Sequence, residues 1–176
     1  MTPQPVKYLP PRVLRLNVGF LLDGQTISKD MDMDLPAVRV ADDLTLDFVQ
    51  GRLRASRTKE GILIQGDMDV GVQGDCFRCL NHVERPIEIH VEELYASTNE
   101  MSEDEAEFQI HDDGQLDLAP LIRAEVLIQT TRGIRCEDVE ACNKRMRALE
   151  DDAGIDHLDP RMAKLKQLLE QQNDQS

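Results

Sequence analysis

Hydrophobic residues recur at every second position through the first half of this chain, and that period constrains the fold more than any other feature. Leu14, Leu16, Val18, Phe20 and Leu22 share one side while Arg15, Asn17 and Gly19 take the other, the pattern of a strand with one buried face. The alternation returns at Met31, Met33 and Leu35 against Asp30, Asp32 and Asp34, and at Leu44, Leu46 and Phe48 against Thr45 and Asp47. Met68, Val70 and Val72 repeat it, as do Ile87, Ile89 and Val91. Turn signals fall between these runs at Asp23-Gly24, Pro36, Gly51 or Glu60-Gly61, and the Gly71 to Asp75 stretch. Strands this close together leave no length for crossover helices. The expectation is an antiparallel sheet curled toward a barrel or a sandwich.

The period then changes. Between Glu84 and Asp117 the chain carries twelve carboxylates against one arginine, and its centre, Glu100 to Glu107, has no strong periodicity. That composition suits a solvated loop or linker, or else a docking surface for a basic partner. Beyond it, Asp117 is placed to cap a helix that tolerates Pro120 in its first turn and carries Leu118, Leu121, Ile122 and Val126 at helical spacing. Val139, Cys142, Met146, Leu149 and Ala153 mark a second helix, with Glu137 and Asp138 at its positive end and Gly154 beyond its last turn. Asp159-Pro160 opens a third, with Met162, Leu165, Leu168 and Leu169 on one stripe, and Gln171 to Ser176 should fray. The expected architecture is α+β: one domain over residues 1–176, strand-rich over about 12–95, an acidic loop over 96–115 and about three helices over 116–172. A length of 176 residues supports one core rather than two.

Charge excludes one broad class. Thirty-four Asp and Glu against twenty Lys and Arg give a formal net charge of −14, which opposes the electrostatic term that supplies most non-specific nucleic-acid affinity. Neither general DNA coating nor direct sequence-specific DNA binding is expected. Aromatics are only 3%, with no Trp, so platforms for stacking bases are scarce. The longest apolar run near the start, Val13 to Leu22, is broken by Arg15 and Asn17 and falls short of the ~20 residues a membrane span needs. It also lacks a cleavage site of small residues, so a cytoplasmic protein is expected. There, four cysteines are thiols or metal ligands rather than disulfides.

Cys76-Phe77-Arg78-Cys79 is the most specific short motif. Two thiolates three apart on a turn supply half of a tetrahedral zinc site or form a redox disulfide. The other cysteines, Cys136 and Cys142, are six positions apart. On one continuous helix that step turns their side chains away from each other, although Cys136 could lie in the loop before the helix. Cys142 falls on the apolar stripe, where a free cysteine behaves as a small hydrophobe. Three readings stay open: buried reduced thiols, a zinc site shared by Cys76, Cys79, Cys136 and Cys142, and a redox CxxC. A thioredoxin-type motif would sit at a helix N-terminus, whereas this one lies between strand patterns. The histidines His82, His90, His111 and His157 form no HxH or HxxxH pair, and His90 reads as a strand residue facing water. No set of acid, base and nucleophile stands out, so no enzyme is expected. Two basic clusters, Arg52, Arg54, Arg57 and Lys59, and Arg132, Arg135, Lys144, Arg145 and Arg147, either grip phosphates or pair with the many carboxylates.

The order of these motifs resembles the YceD family of bacteria and plastids, the large ribosomal RNA subunit accumulation proteins, from about residue 12 to 170. The resemblance rests on Cys76, Arg78, Cys79 and Leu80, on Asp117 and Leu118 with Arg123 in the helix that follows, on Cys136, and on Asp159, Pro160 and Arg161. Thr131 and Ile134 stand where many members carry prolines. The resemblance implies a non-enzymatic factor needed for accumulation of the large ribosomal RNA. An acidic, aromatic-poor surface suits holding a basic large-subunit ribosomal protein or a precursor ribosomal particle better than gripping naked RNA. RNA contact, if made, would use Arg52 to Lys59. The rivals are a thiol oxidoreductase working through Cys76 and Cys79, and a zinc-stabilised interaction scaffold.

Overall fold

The computed structural model describes residues 7–24, 26–96 and 108–152. Its elements run β1 (Arg15–Asn17), α1 (Gly19–Leu22), β2 (Ser28–Leu35), β3 (Val38–Ala41), β4 (Leu44–Leu46), β5 (Val49–Arg57), β6 (Gly61–Asp75), β7 (His82–Ala96), β8 (Gln115–Asp117), α2 (Ala119–Thr130) and α3 (Val139–Asp152). Four strands form the main sheet in the order β2-β5-β6-β7, while β1 pairs with β8 and β3 with β4. Every pairing between these strands is antiparallel. Among the described residues no sheet closes on itself, so the strand-rich half is sandwich-like rather than a barrel. The third helix expected from Asp159 and most of the acidic loop lie outside the described residues.

Alternation sets the two faces of the main sheet. Leu53 and Ala55 of β5, Ile62, Ile64, Met68 and Val70 of β6, and Ile89 and Val91 of β7 point inward and are buried. They pack with Val38, Val40 and Leu46 of the small hairpin and with Leu116, Leu118, Leu121, Ile122 and Val126 around α2. The apolar spacing expected for α2 is the one that is buried, and α2 lies against β7 and β3. Asp117 caps it, its carboxylate accepting the Ala119 N–H at 2.9 Å, with Pro120 in the first turn. The Tyr95 hydroxyl donates to the Asp117 carbonyl at 2.9 Å, and Arg123 forms an ion pair with Asp43. The outer face is polar: Asp30, Asp32 and Asp34 lie opposite Arg54, Arg52 and Gln50, and Arg52 and Asp67 are partners on the next pair of strands.

Four local expectations need correction. Leu14 to Leu22 is not one strand: only Arg15–Asn17 is extended, and Gly19–Leu22 is a single helical turn. The Asn17 carboxamide oxygen accepts the Gly19 N–H at 3.0 Å, and Leu21 N–H closes on the Val18 carbonyl. The buried set is Leu14, Val18 and Leu21, a four-then-three spacing that the period-two reading had passed over. Gly51 is not a turn but a position within β5 opposite Met68. A Cβ there would sit 2.7 Å from the Met68 Cα, so glycine permits two strands to approach closely. Gly71 to Asp75 likewise continues β6, and of the strand pattern over Leu44 to Phe48 only Leu44–Leu46 is extended as β4, with Asp47 and Phe48 in the link to β5. β6 and β7 thus form one long hairpin of 15 residues a side, paired from Gly61 with Ala96 to Asp75 with His82.

Candidate metal centre

The tip of that hairpin is the CxxC motif. Cys76 N–H donates to the Asn81 carbonyl at 2.8 Å, and Leu80 N–H returns to the Cys76 carbonyl at 2.9 Å. The turn closes through Leu80 at φ 57°, a left-handed conformation unusual for a side chain other than glycine. In return, backbone N–H groups point at sulfur. Those of Cys79 and then Arg78 pull the Cys76 thiol down to about 6, and the Asn81 N–H, then the Arg145 side chain, lower Cys79.

The other two cysteines reach this turn from the second half. Ile134 bridges to Cys76, and the Phe77 N–H donates to the Ile134 carbonyl at 3.1 Å, which lays the segment before α3 along the hairpin tip. Cys136 lies in that segment. Asp138 caps α3, its carboxylate accepting the Ala141 N–H at 2.9 Å, and Cys142 follows in the first turn. The six-residue step therefore crosses a helix start instead of winding along a helix, and the geometric objection to convergence falls away. The four Sγ atoms all lie within 4.8 Å of one another. Cys79 and Cys136 are 3.5 Å apart, and Cys76 and Cys142 3.8 Å. Four sulfurs around zinc at Zn–S of about 2.3 Å would be separated by about 3.8 Å, so the donor set and its spacing fit that ion. All four are free thiols.

Cys142 is buried, as the hydrophobic reading expected, but the cluster around it consists of Cys76 and Cys79 with Val83 and Cys136 packed alongside. Burial pushes the Cys142 thiol up to about 12 and also raises Cys136. Arg145, one turn along α3, donates to the Cys136 sulfur at 3.3 Å. Its guanidinium is held more firmly protonated by hydrogen bonds to Cys79 first and then Cys136. Four thiolates with one zinc carry two net negative charges, and Arg145 is placed to offset one of them. The sequence gathered Arg145 into a basic cluster; its spacing of three from Cys142 was the signal for this role. The motif occupies a hairpin turn rather than a helix N-terminus, and Cys76, Cys79 and Cys142 are almost fully covered, which opposes attack on an external disulfide.

The remaining residues singled out lie elsewhere. On the outer sheet face Arg52 Nε donates to Asp32 at 2.8 Å, and Arg54 donates to the Ser28 hydroxyl at 3.0 Å with Asp30 at 4.0 Å. Arg57 and Lys59 are exposed at the β5–β6 turn. His90 faces water, as expected, with Asp67 at 2.7 Å. No helix of the described residues is long and apolar enough to cross a membrane.

A family model described as "Large ribosomal RNA subunit accumulation protein YceD" matches residues 64–169, more than half of the chain and inclusive of all four cysteines. The chain is also similar to "Uncharacterized protein YlbN" of Bacillus subtilis (strain 168), with 26% identity over 136 residues, covering 72% of this chain and 76% of the relative. No solved structure matches.

Proposed function

The chain belongs to the YceD family of large ribosomal RNA subunit accumulation proteins, and from that premise we propose that it acts by binding, as a non-enzymatic, cytoplasmic ribosome-biogenesis factor. Its partner is a basic large-subunit ribosomal protein or the precursor particle that contains one. The family match carries this reading. The outer sheet face supports it: among the described residues Asp30, Asp32, Asp34, Asp67, Asp69, Asp75, Glu84, Glu88 and Glu92 share that face with Arg52, Arg54, His82 and His90 as basic neighbours. An exposed acidic surface of this kind attracts and orients a cationic partner.

The cysteines serve the scaffold. Cys76, Cys79, Cys136 and Cys142 would hold one zinc ion, which when bound supplies a cross-link between the β6–β7 tip and α3. The Cys79 and Arg78 N–H groups favour the thiolate at Cys76, and Arg145 does so at Cys79 and Cys136.

The test is affinity purification of the tagged full chain at low and high salt with identification of bound protein and RNA, together with large ribosomal RNA levels after depletion. Large-subunit proteins or precursor RNA should be enriched at low salt and lost as salt rises, and depletion should lower mature large ribosomal RNA. Recovery of neither, with RNA levels unchanged, overturns the proposal. Metal content of the native protein checks the scaffold reading, with close to one zinc per chain expected.

A further inference from the structure

At the β7 edge of the main sheet, the β6–β7 tip, the end of α2 and the loop before α3 enclose an open groove of about 480 Å³. Its charge runs against that of the chain. Arg85, Arg132 and Arg135 line it, against Glu88 as the only carboxylate, in a protein of net charge −14. Among the described residues, no carboxylate lies within ion-pair distance of any of the three arginines, whereas Arg52, Arg54 and Arg123 are each paired. Two of them are held in place without a counter-ion. The Arg135 guanidinium lies over the Phe77 ring, 4.8 Å from its centroid, and Arg85 Nη1 reaches the Arg135 carbonyl at 3.5 Å. Gly133, at φ +80°, brings the loop against Phe77: a Cβ there would lie 2.9 Å from the Phe77 Cβ.

We infer that this groove binds single-stranded RNA, with Arg85, Arg132 and Arg135 on the phosphates and the half-exposed Phe77–Arg135 stack against a base. Guanidinium groups present planar forks of donors that match phosphate oxygens, and unpaired bases stack on aromatic rings and on arginine planes alike. An acidic peptide would use the arginines but not the stack. A stacking platform takes an unpaired base, because a duplex keeps its base faces inside its own stack. Glu88 is the one carboxylate of the acidic face that lines the groove, where three arginines outnumber it, and exposed charges beyond about 8–10 Å are largely screened at physiological salt. Nor does the negative end of α2 oppose binding: the Thr130 and Thr131 hydroxyls donate to the Val126 and Leu127 carbonyls, and the Gly133 N–H donates to that of Thr130.

The inference rests on the ribosomal reading and identifies the RNA-contacting surface within it. The experiment measures binding of the full chain to a fluorescent single-stranded RNA of about twelve nucleotides, a length in the range single-strand sites cover, by anisotropy across a salt series. Arg132→Ala with Arg135→Ala should weaken binding about tenfold or more at low salt. It should also flatten the salt slope by about 1.4, since each phosphate contact on a single strand contributes about 0.7. Circular dichroism and metal content should not change. Phe77→Ala should weaken binding with the slope intact. Arg52→Ala with Arg54→Ala should leave binding within about twofold, each arginine being engaged by its own strand neighbours. Absence of wild-type binding, or loss on the β5 variant instead, overturns the inference. So does equal competition by polyglutamate, which would identify an acidic protein segment as the occupant. Co-sedimentation with large-subunit precursors separates the two readings. Sedimentation of the wild-type tests the ribosomal reading, which fails if the wild-type does not sediment; oligonucleotide binding decides the groove in either case, since the acidic face can hold a particle by itself.

Discussion

Removing zinc from the four-cysteine cluster should undock α3 while leaving the β-rich body folded. Of the side chains described on α3, Val139 to Leu149, only Cys142 is buried; Val139 and Leu149, which the apolar stripe expected to be covered, are 57% and 44% exposed. Burial of one small side chain is worth about 1 kcal/mol. An isolated helix shorter than about 12–15 residues is marginal in water, and α3 has 14. A structural zinc contributes about 10–16 kcal/mol in small zinc-binding peptides, so with the proposed zinc bound the metal, not packing, would decide whether this helix is held. The core of Leu53, Ile64, Met68, Ile89 and their neighbours forms a cluster separate from the cysteines and keeps its own contacts. Titrating the protein with a strong chelator should therefore remove from the helical circular dichroism the contribution of the 14 residues of α3 while keeping that of the 12 residues of α2. Thermal unfolding of the sheet should remain cooperative. Readdition of zinc should restore the signal, and Cys136→Ser with Cys142→Ser should reproduce the chelated spectrum. A purified chain free of metal whose helical signal equals that of the zinc-loaded form would refute the reasoning, as would loss of the whole fold with the metal.

Leu80→Gly should stabilise the protein by about 0.5–1 kcal/mol in denaturant unfolding, because glycine adopts the left-handed conformation of the hairpin tip without the Cβ penalty; Leu80→Val should destabilise it. Tyr95→Phe should lose about 1–2 kcal/mol by urea unfolding, since it removes the donor to the Asp117 carbonyl from an otherwise buried ring. Ile64→Ala, at the centre of the sheet, should lose about 2–5 kcal/mol in the same assay. The His90 imidazole is raised above its ordinary value of 6.5 chiefly by its hydrogen bond to Asp67. Its stabilising contribution is complete below the unfolded value and is lost as pH rises through the higher folded one. An NMR titration should show Asp67→Asn lowering the His90 pKa.

Period two by itself determined that this chain builds antiparallel sheet with Met68, Val70, Ile89 and Val91 inward, because a strand exposes alternate side chains to opposite faces whatever its neighbours are. Helical spacing did the same for Leu121, Ile122 and Val126 on α2 and for Leu118 just before it. Capping was equally local: Asp117 and Asp138 act within three residues of themselves. Tertiary structure decided what local rules leave open. Whether Gly51 turns the chain or lets strands approach depends on what lies across from it, which is Met68 on another strand. Leu14 and Val18 satisfy both periods, and what favours the helical one, with Leu21 buried beside them, includes the Gly114 carbonyl that accepts the Val18 N–H from far along the chain. The cysteine cluster needed most from the tertiary level. Cys76 and Cys79 share a turn, but Cys136 and Cys142 join them because Ile134 pairs alongside Cys76 and a helix begins between the two later cysteines. The arginine groove is legible only in three dimensions for the same reason: Arg85 lies in the most acidic stretch of the sequence, and the fold places it beside Arg132 and Arg135.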